Sequence, residues 1–279
     1  MAILSIQSQV LAGSVGNSAA AFIYARLGCE VWPLPSVLLS HHPGHGGAEG
    51  GPVKPARLAA LVAGLAARGG FARCEAVVSG YLGAEAAVPV VRDAVARARE
   101  AHPGALYLCD PVIGDAGRLY VPAGLVDGFR DTLLPLADIA LPNPFELATL
   151  TARALPDRAA AFAAMAALGP PIVVLTGFVG ADTVPGTLDL LLLDGADRQV
   201  VTVRRLDRNF AGAGDAFAAL FMAGYVRRRA ALAAVRGAAA ASAALLAATA
   251  AAGADELQVV TAQNDWVAAL HATASATEW

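Results

Sequence analysis

The stretch from Asn209 to Ala219, NFAGAGDAFAA, holds the residues best placed by type and spacing to do chemistry. Gly212, Ala213 and Gly214 are small, and Asp215 follows at once. After Asp215, Phe217, Leu220, Phe221 and Tyr225 recur at three- and four-residue spacing, which predicts a helix. Gly212–Asp215 is therefore expected to form a tight turn that opens it. The first N–H groups of a helix have no internal partner and carry the positive end of its dipole. A turn with almost no side chains lets an anion reach them. A carboxylate beside such an anion hole is a candidate general base: Asp215 could take a proton from a hydroxyl while backbone N–H groups hold the group in transfer. The same four residues also describe an ordinary N-capped helix start with Asp215 as the cap, so the rest of the chain has to decide.

The elements that would position this turn alternate. Ala2–Gln7 reads as a buried strand ending in Ser8, with Gly13 and Gly16 leading into a helix from about Asn17 to Leu27, stopped by Gly28. Glu30–Ser36 is the next extended run, followed by a loose Gly/His loop to Gly51. Helices are expected over Ala56–Ala67 and Ala86–Ala101, the second with Arg92, Asp93, Arg97 and Glu100 outward. A strand over Ala76–Ser79 lies between them and leads to Gly80 and Tyr81. Three further apolar strands stop at polar residues: Ala105–Cys109 at Asp110, Asp138–Leu141 at Pro142-Asn143, and Ile172–Leu175 at Thr176. In open parallel sheets ligands gather outside the carboxyl ends of the strands. Leu188–Leu193 and Val200–Val203 read as a hairpin around Asp194-Gly195. The helix from about Ala213 to Arg229, an Ala-rich helix, and a last helix from about Glu256 complete the chain. The alternation predicts an α/β fold, a three-layer α/β/α sandwich with a mainly parallel central sheet.

Composition excludes several classes. The 279 residues carry a formal net charge of −3 and no basic field, so no nucleic-acid partner is expected. Lys54 is the only lysine, and no G-x-x-x-x-G-K-[ST] exists, which excludes a Walker-type phosphate cradle. Cys29, Cys74 and Cys109 are odd in number and widely spaced, as buried free thiols of a reducing compartment would be. The apolar N-terminus has no basic residue before Arg26, so no signal peptide is expected. The uncharged run Gly237–Ala254 is mostly Ala, Ser, Gly and Thr, which gain little in lipid; a buried helix is expected there rather than a membrane span.

Taken together, the motifs resemble the pyridoxal kinases of the ribokinase-like superfamily, over Ala2 to about Ala268. Ile3–Ser8 with Gly13, Gly16 and Asn17 carries the resemblance at the start, with Trp32-Pro33-Leu34, Ser40 and His42, and Ser79-Gly80-Tyr81-Leu82-Gly83. Asp110-Pro111-Val112-Ile113-Gly114-Asp115, Gly117-Arg118 and Tyr120-Val121-Pro122 continue it, as do Ala137-Asp138-Ile139, Pro142-Asn143 and Phe145-Glu146-Leu147. Gly212–Asp215 and Glu256-Leu257-Gln258-Val259-Val260 complete the set. Any one of these is weak; their order and spacing are specific.

The resemblance implies one ribokinase-like kinase domain over residues 1–279, with a flap loop at about 40–51. It implies ATP-dependent phosphorylation of the 5′-hydroxyl of pyridoxal, with Mg²⁺, in a cytoplasmic homodimer. Asp215 matches the catalytic base, with Gly212, Ala213 and Gly214 holding the transferring phosphoryl group. Ser8, Tyr81 and the flap residues His42, Pro43 and Gly44 match substrate positions. Asp110, Asn143, Glu146 and Thr176 match the ATP side, with Asp110 and Glu146 toward the metal. Leu141 and the Arg204–Asp207 run, including Leu206, are placed on the nucleotide side. The chain departs from the family at Gln9, where His is usual, at Ala12 and Ser14, at His41 and Pro43 of the flap, and at His45, where an aromatic is common. Gly177, like Leu141, replaces a polar residue of some members. The substrate half therefore differs more than the phosphoryl-transfer half. Two other readings follow: a kinase of the same superfamily acting on another hydroxymethyl heterocycle such as hydroxymethylpyrimidine, and a non-catalytic B6-binding protein.

Overall fold

The structure, a computed structural model, describes residues 1–275. Strands and helices alternate through the first half of the chain: β1 (Ala2–Val10), α1 (Asn17–Arg26), β2 (Glu30–Leu39), β3 (Gly50–Pro52), α2 (Pro55–Ala67), β4 (Cys74–Ser79), α3 (Val88–Ala101) and β5 (Leu106–Cys109). A short hairpin, β6 (Gly114–Asp115) and β7 (Arg118–Leu119), precedes α4 (Ala123–Gly128), β8 (Ile139–Ala140), α5 (Pro144–Thr151), α6 (Arg158–Leu168) and β9 (Ile172–Phe178). The chain then turns through β10 (Thr187–Asp194) and β11 (Asp197–Arg204) into α7 (Ala213–Arg228), α8 (Ala231–Ala251) and α9 (Gln263–Ser275).

The main sheet runs β11-β10-β9-β8-β5-β4-β1-β2-β3. The six strands from β2 to β9 are parallel, and β3, β10 and β11 pair antiparallel at the edges. Successive side chains of a strand point to opposite faces, and here each face meets its own helical layer. Leu4, Ile6, Val77, Tyr107 and Val173 join the core that holds Leu58 of α2, Val91 of α3 and Phe162 of α6. Ile3, Val78, Leu108 and Val174 join the core that holds Ile23 of α1, Phe221 of α7, Val235 of α8 and Trp266 of α9. Both faces being covered explains why the strands read as apolar runs rather than as alternating ones. The chain leaves β1 for β2 on one side and reaches β4 on the other, so the connections diverge at β1, where α/β sheets open a crevice at the carboxyl ends of their strands.

The Ala-rich helix α8 is 21 residues long and apolar enough to cross a membrane by composition, yet it lies against α7, α9 and the β10–β11 edge. Gly237 makes the close approach possible, since a Cβ there would stand 3.0 Å from Leu270 of α9. The last helix begins at Gln263 rather than near Glu256. The segment before it is irregular because its groups are engaged elsewhere: Leu257 and Val259 are buried, the Val259 carbonyl accepts from Trp266 Nε1 at 2.9 Å, and Glu256 bonds outside the segment. The hairpin turn falls at Gly195-Ala196, with Asp194 paired to Asp197.

Candidate active site

Four chain segments converge at the carboxyl end of the parallel strands. The first is the start of α7. Gly212 is its N-cap, with φ +84°, a left-handed conformation that glycine adopts without strain. No side chain caps the helix. The Ala213 N–H turns back to the Phe210 carbonyl at 3.3 Å, while the N–H groups of Gly214 and Asp215 have no backbone acceptor among the described residues. The turn is thus an amide pocket rather than a satisfied cap. The Asp215 side chain does not serve as the N-cap; it is half-buried, and its Oδ2 accepts the Gly16 N–H at 2.7 Å. Burial pushes its pKa up, while the Gly16 N–H and the His42 imidazole pull the other way without cancelling the rise. A carboxyl poised above its ordinary range is better matched to accept a hydroxyl proton near neutral pH.

The second segment is the end of β1. The β1–β2 register slips between Gln7 and Gln9, so that two residues of β1 run against three of β2. Such a bulge re-aims side chains, and Ser8, buried at the slip, lines the cavity. The turn that follows depends on glycine: a Cβ on Gly16, at φ +56°, would collide with the Ser8 carbonyl and come within 2.6 Å of Ser8 Oγ.

The third segment joins β5 to α5. Asp110 follows β5 and is 8% exposed. Burial, the Glu146 carboxylate and the Asp215 carboxylate hold its pKa well above the usual range, and no hydrogen bond relieves it among the described residues. Asn143 caps α5 in a reciprocal box: its Oδ1 accepts the Glu146 N–H at 2.9 Å, and Glu146 Oε2 accepts the Asn143 N–H at 2.8 Å. The box also fastens the β6–β7 hairpin, because Glu146 Oε1 accepts the Ile113 N–H at 3.1 Å and Asn143 Nδ2 donates to the Gly114 carbonyl at 2.8 Å. Burial pushes the Glu146 pKa up against these backbone donors.

The fourth segment is the flap. His42 Nδ1 accepts the Gly44 N–H at 3.2 Å and caps a short turn over Pro43–His45. The Ser40 N–H donates to the Glu49 carbonyl at 2.8 Å and the Glu49 N–H to Ser40 Oγ at 3.0 Å, closing the loop at its base.

These segments enclose one cavity of about 870 Å³. Ser8, Tyr81 and the flap residues His42, Pro43 and Gly44 line it on the substrate side. Gly212, Ala213, Gly214 and Asp215 line it at the amide pocket, and Asp110, Leu141, Asn143, Glu146 and Thr176 complete the other wall. Arg204, at the exposed end of β11, and Leu206 do not line it. Among the groups that the sequence does not mark as site residues, Gly16, Arg118 and Glu256 bear on the geometry. Gly16 supplies the hydrogen bond to Asp215. Arg118 of the hairpin brings an arginine to a wall rich in carboxylates; its place in a motif was legible, its direction was not. Glu256, more than two hundred residues from the turns it meets, bonds Ser14 and His45.

The donor set suits a hard cation that keeps waters and takes one or two carboxylates together with phosphates. Asp110 is buried, unrelieved and lines the cavity, so its carboxylate is the direct ligand that fits. Both oxygens of Glu146 already accept backbone N–H groups, so this carboxylate is held by the hairpin and the helix cap and fits a supporting place near a cation better than that of its main ligand.

Comparison with known proteins agrees with this architecture. A family model described as phosphomethylpyrimidine kinase matches residues 70–260. The chain is 44% identical over 230 residues to the pyridoxal kinase PdxY of Granulibacter bethesdensis, with 80% of each chain covered. It is 41% identical over 274 residues to the pyridoxal kinase PdxY of Deinococcus radiodurans, covering 95% of this chain and 92% of the relative. Among solved structures it is similar to the pyridoxal kinase of Leishmania donovani in complex with ADP and pyridoxamine, with a TM-score of 0.89, 33% identity and 95% of each chain covered.

Proposed function

The chain belongs to the pyridoxal kinase family, within the wider phosphomethylpyrimidine kinase group, and from that premise we propose that it transfers the γ-phosphoryl group of ATP to the 5′-hydroxyl of pyridoxal. One observation carries the reading: the Asp215 carboxylate is held by the Gly16 N–H beside the open Gly214 and Asp215 amides, in a cavity that Ser8 and Asp110 also line. The substrate hydroxyl gives its proton to Asp215 as its oxygen attacks the γ-phosphorus, and the bond to the β-phosphate oxygen breaks to release ADP. The amide pocket at Gly212–Asp215 holds the charge on the transferring group, the kind of electrostatic positioning on which phosphoryl transfer depends. Ser8, Tyr81 and His42 orient the heterocycle and exclude water. Asp110, with Glu146 in support, would hold Mg²⁺, which when bound neutralises phosphate charge. Asn143, Thr176 and Leu141 form the nucleotide wall.

Two details favour a B6 vitamer over hydroxymethylpyrimidine. The match to the phosphomethylpyrimidine kinase model begins at residue 70, past Ser8 and the flap, whereas the similarity to pyridoxal kinases covers nearly the whole chain. A non-catalytic binding protein is disfavoured by the open amide turn and the anchored Asp215. A single sheet from β11 to β3 supports reading the chain as one domain with a flap at about 40–51. Buried free Cys29, Cys74 and Cys109 fit a reducing compartment, and a cytoplasmic site is proposed. A homodimer is proposed on the resemblance; exposed Leu11, just past β1, and Leu38, near the end of β2, are surface it could cover. An ADP-release assay across pyridoxal, pyridoxine, pyridoxamine and hydroxymethylpyrimidine tests the function, with Asp215→Asn as control. Turnover of hydroxymethylpyrimidine alone would replace the substrate; binding of pyridoxal without turnover of any vitamer would replace the class.

A further inference from the structure

Glu256 lies in the irregular segment before α9, outside every strand and helix that builds the cavity, yet it bonds both the flap and the turn that follows β1. Its Oε2 accepts the Ser14 N–H at 3.0 Å, and its Oε1 lies 2.8 Å from His45 Nε2 at the tip of the flap. A carboxylate offers only acceptors, so Nε2 carries the proton of that bond. Gly13 makes room for the contact: at φ +117°, it would place a Cβ 2.9 Å from both Glu256 oxygens. Ser14 itself leads on to the chemistry through the next peptide along. Its carbonyl oxygen occupies the space that a Cβ on Gly212 would need, against the amide pocket, and Leu257 closes the same spot from the other side. Two residues on, Gly16 donates its N–H to Asp215.

We propose that Glu256 is a positioning residue that couples closure of the flap, through His45, to the placement of the amide turn and Asp215, through Ser14. This rests on the kinase reading above. The flap's own hydrogen bonds are internal, at its base between Ser40 and Glu49 and across its tip between His41 Nε2 and the Gly46 carbonyl at 2.8 Å, whereas the His45–Glu256 contact ties the tip to the segment before α9. One side chain thus answers both to the flap over the acceptor and to the turn behind the phosphoryl pocket. With side-chain exposures of 41% for His45 and 28% for Glu256, the flap contact is modest alone; the Ser14 bond is the stiffer half.

Steady-state kinetics of His45→Ala, His45→Gln, Glu256→Ala and Glu256→Gln test it, with KM measured separately for pyridoxal and ATP and each fold checked by thermal melting. His45→Ala is expected to raise the KM for pyridoxal roughly threefold to tenfold and to leave the KM for ATP unchanged. His45→Gln, whose amide can donate to the same oxygen, should restore most of the loss. Glu256→Ala should raise that KM and also lower kcat roughly tenfold to a hundredfold. Glu256→Gln, whose carbonyl can still accept the Ser14 N–H, should recover kcat. An unchanged pyridoxal KM in His45→Ala overturns the coupling, as does a wild-type kcat in Glu256→Ala. Since His45 is an exposed residue, its variants decide the matter even where Glu256→Ala folds poorly. Inactive wild-type protein would defeat the kinase reading itself, whereas active wild type with silent variants would defeat only this inference.

Discussion

Asp215 Oδ2 accepts the Gly16 N–H at 2.7 Å, which ties the first turn of α7 to the first turn of α1 across 199 positions of sequence. The bond holds the carboxylate off the amides of its own helix start. As the third residue of α7, a free Asp215 carboxylate could reach back toward the N–H of the cap residue, as the acid of a capping box does, and crowd the site where a phosphoryl group should bind. The arrangement therefore keeps a base and an anion hole side by side without letting them neutralise one another.

Replacing that base should be costly to turnover and cheap to the fold. Asp215→Asn is expected to lower kcat by about 10²–10⁴ with little change in melting temperature. In the wild type, burial raises the Asp215 pKa, so the acid limb of kcat/KM should lie above the ordinary carboxylate range near 4. The base must be ionised to work, and activity falls as pH drops through that limb. A pH–rate profile measures both, and the limb should vanish from the residual activity of the variant.

Gly212→Ala should damage the turn itself. The residue sits at φ +84°, and its Cβ would meet the Ser14 carbonyl, a backbone atom that cannot step aside cheaply. A loss of about 1–3 kcal/mol in stability is expected. The fall in kcat should exceed what the fraction unfolded explains, because a displaced amide donor costs roughly 10²–10³ in rate. Chemical denaturation and kinetics on the same preparation separate the two.

Asp110 opposes stability in the absence of a cation. Its folded-state pKa lies well above the unfolded value, chiefly through burial and then through the Glu146 and Asp215 carboxylates. Such a group favours the fold most below its unfolded pKa, and that contribution is lost as pH rises through the folded one. Asp110→Asn should therefore stabilise the ligand-free protein near neutral pH by about 1–2 kcal/mol while weakening Mg²⁺-dependent nucleotide binding. Wild-type protein should release protons on binding Mg²⁺ with ADP. Calorimetry in two buffers of different ionisation enthalpy reads that release, and Asp110→Asn should reduce it.

Asp189 of β10 offers the contrast of a buried carboxylate that is fully partnered. It is 0% exposed, and it accepts Thr202 Oγ1 at 2.7 Å, Thr183 Oγ1 at 2.8 Å and Arg158 Nε at 2.9 Å. Burial raises its pKa, but the bonds from Thr202, Thr183 and Arg158 outweigh that and leave it lowered. Its stabilisation is present above the unfolded pKa and lost as pH falls through the folded one. Asp189→Ala strands Arg158 and is expected to cost about 3 kcal/mol, measured by urea denaturation, with kcat of the folded fraction unchanged.

Most of the architecture was legible in the sequence because it is written in short-range patterns. Apolar runs covered on both faces gave β1, β4, β5 and β9, and the three- and four-residue spacing after Asp215 gave α7. Small residues with a following carboxylate marked the amide turn, and polar residues at strand ends marked Asp110, Asn143 and Thr176. The last helix was placed too early because Glu256–Val259 looks like a helical start; its groups in fact bond to Ser14, His45 and Trp266, partners that no local pattern reveals. Asn143 and Glu146 entered the sequence reading only as a strand end and as motif positions; the structure adds that they form a capping box at the start of α5 and fasten the β6–β7 hairpin.

By itself, then, the sequence determined most of the central strands, the helices around the amide turn, and which residue types wait at the strand ends, since propensity, burial pattern and turn chemistry act over a few residues; β3, the β6–β7 hairpin and α4, α5 and α6 came only with the structure. Only the tertiary structure decided where the Asp215 carboxylate would point: it lies inside the first turn of α7 rather than at its cap, and it is held away from its own helix start. That choice belongs to the Gly16 N–H, delivered by a turn at the far end of the chain and wedged in place by contacts at Gly13, Ser14 and Gly212. A hydrogen bond between positions 199 residues apart leaves no periodic trace in the sequence, because its geometry exists only once the sheet has brought the two helix starts together.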